Sequence, residues 1–109
     1  MVKYKEMIAG QVLTATAASY YIAPANTQAT IQAAVVSNGT AGVVVVDLHK
    51  VPAAGSPTSA NKIATRTVPA GSTATLWDAI NHKLEPGTQL YAVGLDCGLT
   101  VSGVEYIPE

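Results

Sequence analysis

Hydrophobic and polar positions alternate along much of this chain with a period of two. The clearest case is Thr27–Lys50, TQATIQAAVVSNGTAGVVVVDLHK. Ala29, Ile31, Ala33 and Val35 share one parity, with Gln28, Thr30 and Gln32 between them. That is the pattern of a strand with one wet face. After Asn38-Gly39-Thr40-Ala41-Gly42, the residues Val44, Val46 and Leu48 share a parity opposed by Asp47 and His49. An Asn-Gly pair tolerates the positive φ of a tight turn, so the stretch predicts one long β-hairpin. A two- or four-residue turn would place both apolar sets on one core, with Gln32 near Asp47 outside. A one-residue slip would reverse every side chain. In this register Ala34, Val36, Val43 and Val45 form a second apolar cluster on the outward face. Such a patch has to be covered, either by the chain's own loops or by another subunit.

The same reading extends in both directions. Residues 1–9 predict a short N-terminal arm carrying Lys3, Lys5 and Glu6 beside Tyr4, Met7 and Ile8. The arm either frays or orders on a neighbouring subunit. Gln11–Thr16 and Ser19–Ile22 predict strands, and Val51–Asn61 a long surface loop. Lys62–Val68, Ser72–Trp77, Gln89–Leu95 and Leu99–Ile107 predict further strands. A single helical turn is expected within Asp78–Leu84, and Asp96-Cys97-Gly98 is expected to close a final hairpin. In the last strand, apolar positions change parity at Gly103, which predicts a bulge there. Pro24-Ala25-Asn26-Thr27, Pro69-Ala70-Gly71-Ser72 and Pro86-Gly87-Thr88 each precede a strand, and Glu85–Thr88 has the Pro-Gly centre of a type II turn. Seven or eight strands with turns every 8–12 residues or so predict an all-β fold. The expected architecture is an antiparallel β-sandwich, jelly-roll or immunoglobulin-like, over residues 10–109, with the arm outside it.

Length and composition narrow the picture. A chain of 109 residues fits one domain. Charged residues make up 12% and the formal net charge is -1, about half the usual charged share of roughly 25%. The six Lys and Arg are scattered, which argues against a nucleic-acid partner. No apolar run is long enough to span a membrane, and no secretory signal is expected at the start. Cys97 is the one cysteine, consistent with a reducing compartment or with assembly inside a cell. Few charges on a small domain suggest that much of its surface meets other protein.

Catalytic and metal-binding patterns are sparse. His49, His82 and Cys97 would supply at most three soft ligands, and structural zinc usually takes four. No Gly-x-Ser-x-Gly elbow is present, although a Ser–His–Asp arrangement forms in space and is left open by sequence. Cys97 follows Asp96, whose charge would raise the thiol pKa rather than activate it. The phosphate-loop pattern is absent. The reading is therefore of a non-enzyme with no cofactor and no metal. Asn38-Gly39-Thr40 matches a glycosylation triplet but reads first as a turn. Trp77, at a strand end, is an interface candidate, together with Tyr4, Met7, Ile8, Ala34, Val36, Val43 and Val45.

One family resemblance adds to this. Tyr21-Ile22-Ala23-Pro24-Ala25-Asn26-Thr27 leads into a strand ending Val35-Val36-Ser37-Asn38. Asp47-Leu48-His49-Lys50-Val51-Pro52, Gly55 and Ser59-Ala60-Asn61-Lys62-Ile63 follow. Leu84-Glu85-Pro86-Gly87-Thr88 and Val101-Ser102-Gly103-Val104-Glu105 close the pattern. Over Tyr20–Tyr106 the chain resembles the small β-sandwich virion proteins of tailed bacteriophages. The resemblance implies a structural protein of the virion. Head decoration (cement) is the leading form, in which the protein binds the major capsid protein on the shell exterior as a homo-oligomer, with a trimer favoured. A tail, collar or fibre accessory module, including one that recognises a host-surface glycan, is the alternative.

Overall fold

The computed structural model describes residues 1–108. Its strands are β1 (Val2–Val12), β2 (Ala18–Ile22), β3 (Gln28–Ser37), β4 (Val44–Val51), β5 (Lys62–Val68), β6 (Thr73–Thr75), β7 (Lys83–Leu84), β8 (Gln89–Val93) and β9 (Gly98–Tyr106). One sheet has the order β1-β9-β3-β6, with β7 also on β3, and the other has β2-β8-β4-β5. Every paired ladder is antiparallel. The pairs β4·β5, β3·β6, β2·β8 and β1·β9 are nested around the Pro52–Asn61 loop. The chain thus behaves as one long hairpin folded over, and the β3·β9 and β4·β8 ladders hold the fold-over. This is the jelly-roll order, a β-sandwich of two antiparallel sheets.

The predicted hairpin is replaced by a crossover. β3 and β4 lie in different sheets. A strand has only two hydrogen-bonding edges. Those of β3 go to β9 on one side and to β6 and β7 on the other, while those of β4 go to β5 and β8. The connection is held by Asn38 instead of by a tight turn. Its backbone N–H donates to Ser72 O at 2.8 Å, and its Nδ2 donates to Gly42 O and Val68 O, both at 2.9 Å. Neither Asn38 nor Gly39 takes positive φ. The amide is buried and fully engaged, so the Asn38-Gly39-Thr40 triplet presents no accessible acceptor for a glycan. The expected final hairpin is likewise a crossover, because β8 and β9 belong to opposite sheets.

Bulges decide which residues face inward. Ile31 pairs with Gly103 and Ala33 with Ser102, so Gln32 is the extra residue of a bulge. Upstream, Ala29 and Ile31 are buried as their parity predicts. Downstream the parity reverses, leaving Ala33 and Val35 exposed and Ala34 and Val36 fully buried. On β1, Glu6 pairs with Ser102 and Ile8 with Val101, which inserts Met7 at the same level. β9 itself keeps its phase, with Leu99, Val101, Gly103 and Glu105 all turned to the core. The predicted bulge at Gly103 therefore belongs to its two neighbours. A Cβ on Gly103 would collide with the Thr30 carbonyl and come within 3.2 Å of Met7 Sδ.

The segment expected to be a free arm is part of the sheet. Val2–Glu6 pair with Tyr106–Ser102, and Met1 and Ile107 exchange two backbone hydrogen bonds, at 2.6 and 2.8 Å. Met7 and Ile8 enter the core with Leu13, Ile31, Leu48, Leu76, Leu84, Leu90 and Leu99. The strand predicted from Ser72 shortens to β6, and Trp77–Ala79 forms a 3₁₀ turn. The recurrent turns are formed as predicted, with positive φ at Asn26, Gly71 and Gly87 and closing bonds Thr27 N–H to Pro24 O, Ser72 N–H to Pro69 O and Thr88 N–H to Glu85 O.

A buried polar link joins the sheets. Tyr21 Oη on β2 donates to Glu105 Oε2 on β9 at 2.5 Å. Burial pushes the Tyr21 phenol well above its ordinary value near 10, and the bond to Glu105 and its negative charge push further. The folded state therefore keeps this proton after the unfolded chain has begun to lose it. The stabilisation is complete below pH 10 or so and declines as pH rises further. Tyr21→Phe is expected to cost about 1–2 kcal/mol at neutral pH and to weaken the loss of stability between pH 10 and 12. Urea denaturation across that range, with tyrosine absorbance as a second signal, measures both effects.

Candidate interaction face

The β1·β9 ladder builds an apolar patch on the outer surface. Val2 stands opposite Tyr106 and Tyr4 opposite Val104. Facing residues on a ladder point to the same side of the sheet with Cβ atoms roughly 4.5–5.5 Å apart. These four side chains therefore form a checkerboard on the outer face of the first sheet. Tyr4 is 83% exposed, Val2 55% and Tyr106 48%. Thr30 and Gln28 of β3 extend the same two rows. The patch reaches the outer edge of β1, the end strand of its sheet. The opposite parity there carries Lys3 and Lys5, both exposed. Charges on an edge strand discourage indiscriminate strand addition, so the ladder favours contact through its face.

Of the other interface candidates, Val43, Val45 and Trp77 are more than half exposed. Val45 lies on the outer face of the second sheet, opposite Thr67. The structure does not bring Ala34 and Val36 to that surface: the bulge at Gln32 turns them into the core with Met7 and Ile8. Val104 and Tyr106 were not singled out from sequence. Their signal was period-two alternation with the apolar residues of β1, which becomes visible once β1 is read as a strand.

The outer face of the second sheet carries a polar row, Ser19–Tyr91–His49–Lys62, one residue from each strand. Lys62 Nζ lies 3.8 Å from Asp47 Oδ2. Ser19 Oγ, Asp47 Oδ1 and His49 Nδ1 are buried without a hydrogen-bond partner. Burial lowers the His49 pKa, opposed by Asp47 and aided by Lys62. Ser19 and His49 are separated by β8, two ladder spacings or roughly 9–10 Å, so no Ser–His nucleophile pair forms here. Cys97 is fully buried and burial, with Asp96, raises its pKa. Among the described residues, no group of three or more His, Cys, Asp and Glu is placed to hold a metal ion. No helix is long and apolar enough to cross a membrane.

No protein-family model matches the sequence, and neither does any curated protein. Solved structures that share its fold include the following two. One is a chain of the Bacillus endospore appendages, described as a novel family of disulfide-linked pili. It matches with a TM-score of 0.56 and 15% identity over 99% of this chain and 89% of that one. The other is a chain of infectious bursal disease virus, Gx strain, with a TM-score of 0.52 and 11% identity over 98% of this chain. There the match spans 32% of the viral chain, so this protein corresponds to about a third of it.

Proposed function

We propose that this protein is a structural subunit of a virion, a head decoration (cement) protein of a tailed bacteriophage that binds the capsid exterior. The observation that carries the reading is the Val2–Tyr4–Val104–Tyr106 checkerboard on the outer face of the first sheet. Aromatic side chains flanked by small apolar ones are the usual anchors of protein interfaces. At roughly 25 cal/mol per Å² of apolar surface, a modest contact repeated over a shell gains strength from multivalency. The fold's occurrence in a viral and an appendage structure supports a part in assembly. Tyr4→Glu is expected to weaken binding to purified capsids at least tenfold while leaving the melting temperature unchanged, because Tyr4 is almost fully exposed. Capsid binding no stronger than that of an unrelated β-sandwich would sink the proposal.

The homo-oligomer, with a trimer favoured, is a separate question of which face self-associates. Val45→Lys places a charge on the outer face of the second sheet without touching the core. It is expected to lower the mass measured by sedimentation if that face joins the copies, whereas Tyr4→Glu leaves the mass unchanged. A second reading, a filament subunit, is favoured by the end-to-end match to the appendage chain. Cys97 is fully buried, so linkage between copies in such a filament would rest on non-covalent contacts. Electron microscopy of the concentrated protein distinguishes filaments from discrete oligomers.

A further inference from the structure

The turn before β3, the Glu85–Thr88 turn and the end of β9 meet around a cleft of about 310 Å³ lined by Asn26, Gln28, Pro86 and Pro108. This is the small end of the range of ligand sites, roughly 300–1,000 Å³. Gln28 Nε2 donates to Glu85 Oε2 at 3.2 Å. That bond orients the amide and leaves its second N–H and its carbonyl oxygen for other partners. Asn26 is held by its turn at φ 58°, a conformation Asn tolerates better than most residues, so its amide is presented from a fixed backbone. Gln28 stands directly across the ladder from Tyr106, whose side chain is half exposed on the same face of the sheet.

We propose that this cleft binds a neutral saccharide of one or two sugar units. The two amides and the carboxylate of Glu85 provide paired donors and acceptors, as vicinal hydroxyl groups require, since each hydroxyl both donates and accepts. The rings of Pro86 and Pro108 and the face of Tyr106 offer flat apolar surface to the C–H face of a sugar ring. No Lys, Arg or His lines the cleft, and Glu85 adds a negative charge, so phosphate and acidic sugars are disfavoured.

The test is a titration of the ¹⁵N-labelled full chain with neutral oligosaccharides of glucose, galactose and N-acetylglucosamine, with sialyllactose and a proline-rich peptide as controls. The expected result is that at least one neutral oligosaccharide shifts the side-chain amide signals of Asn26 and Gln28, with a Kd near 1 mM or below. Gln28→Ala is expected to weaken that binding about tenfold, and Tyr106→Ala similarly. Asn26→Gly, which keeps the positive φ of the turn, is expected to weaken sugar binding and leave capsid binding intact, and Tyr4→Glu leaves sugar binding intact, so this site and the capsid-binding reading fail separately. Absence of shifts with every neutral sugar at about 10 mM, well above that Kd, overturns the proposal. So do shifts caused only by sialyllactose or only by the peptide.

Discussion

Asn38→Asp is expected to lower the unfolding free energy by about 3–5 kcal/mol, the largest effect of any isosteric substitution in the chain. Asn38 is 1% exposed, and its side chain makes four hydrogen bonds. Nδ2 donates to Gly42 O and Val68 O, and Oδ1 accepts from Thr40 N–H at 2.9 Å and from Thr40 Oγ1 at 2.6 Å. A carboxylate keeps the second pair and loses the first. It takes the amide donor from Val68 O, leaves Gly42 O only the Thr40 hydroxyl at 3.0 Å, and sets its own charge against both oxygens, and each unmet buried group costs about 1–3 kcal/mol. The bond to Val68 O matters most, because Val68 ends β5 while Asn38 follows β3. That contact spans the two sheets where the chain crosses between them. In a domain of this size the loss corresponds to a fall in melting temperature of about 15–25 °C. The deficit is expected to shrink on acidification, because a protonated carboxyl can donate one of the missing bonds. Thermal denaturation by circular dichroism at pH 7 and pH 4 measures both, and a variant as stable as the parent at pH 7 would contradict the assigned role of Asn38.

Gly103→Ala is expected to cost about 2–3 kcal/mol and to loosen β1. β9 is the central strand of its local trio, with β1 and β3 on either side. Both neighbours bulge beside it, through Met7 and Gln32. The bulges bring Thr30 O and Met7 Sδ over the Gly103 Cα, where a methyl group has no room. Methionine can yield, whereas a backbone carbonyl in a ladder cannot move without disturbing the bulge, and overpacking of this kind costs about 1–3 kcal/mol. Gly39→Ala and Gly98→Ala are the controls. Neither position has positive φ, and a Cβ at either meets nothing within 4 Å. They are expected to stay within about 0.5 kcal/mol of the parent. Amide exchange should show faster opening of Val2–Glu6 in Gly103→Ala alone. Equal stability of all three variants would place the restraint elsewhere.

These two positions, with the Tyr21–Glu105 bond, show how a small chain with no intrachain disulfide is held in one arrangement. Each acts at a junction: Asn38 at a crossover, Gly103 at a paired bulge, Tyr21 between the sheets. The outer faces are left largely free of such restraints. There the chain can carry an apolar checkerboard on one sheet, a polar row on the other and a cleft at the end of β3, each open to change without loss of the fold.

The sequence by itself determined that the fold is all-β, where most strands run and which turns precede three of them. Those features follow from neighbours along the chain: period-two alternation, the fixed φ of proline, and the tolerance of Asn26, Gly71 and Gly87 for positive φ. It also turned Val43 and Val45 outward, and Tyr4 and Trp77, interface candidates by sequence, are exposed as well. Only the tertiary structure decided that Thr27–Lys50 crosses between sheets, since the choice between a hairpin and a crossover depends on which strands occupy the edges of β3 and β4. It alone decided that Ala34 and Val36 face inward, because one unpaired residue at Gln32 inverts every position after it. It turned the supposed arm into β1, because Val2–Glu6 find their partners about a hundred residues away in β9. Alternation is a property of one strand, whereas pairing and bulges belong to two strands at once. The sequence of either strand alone does not contain them.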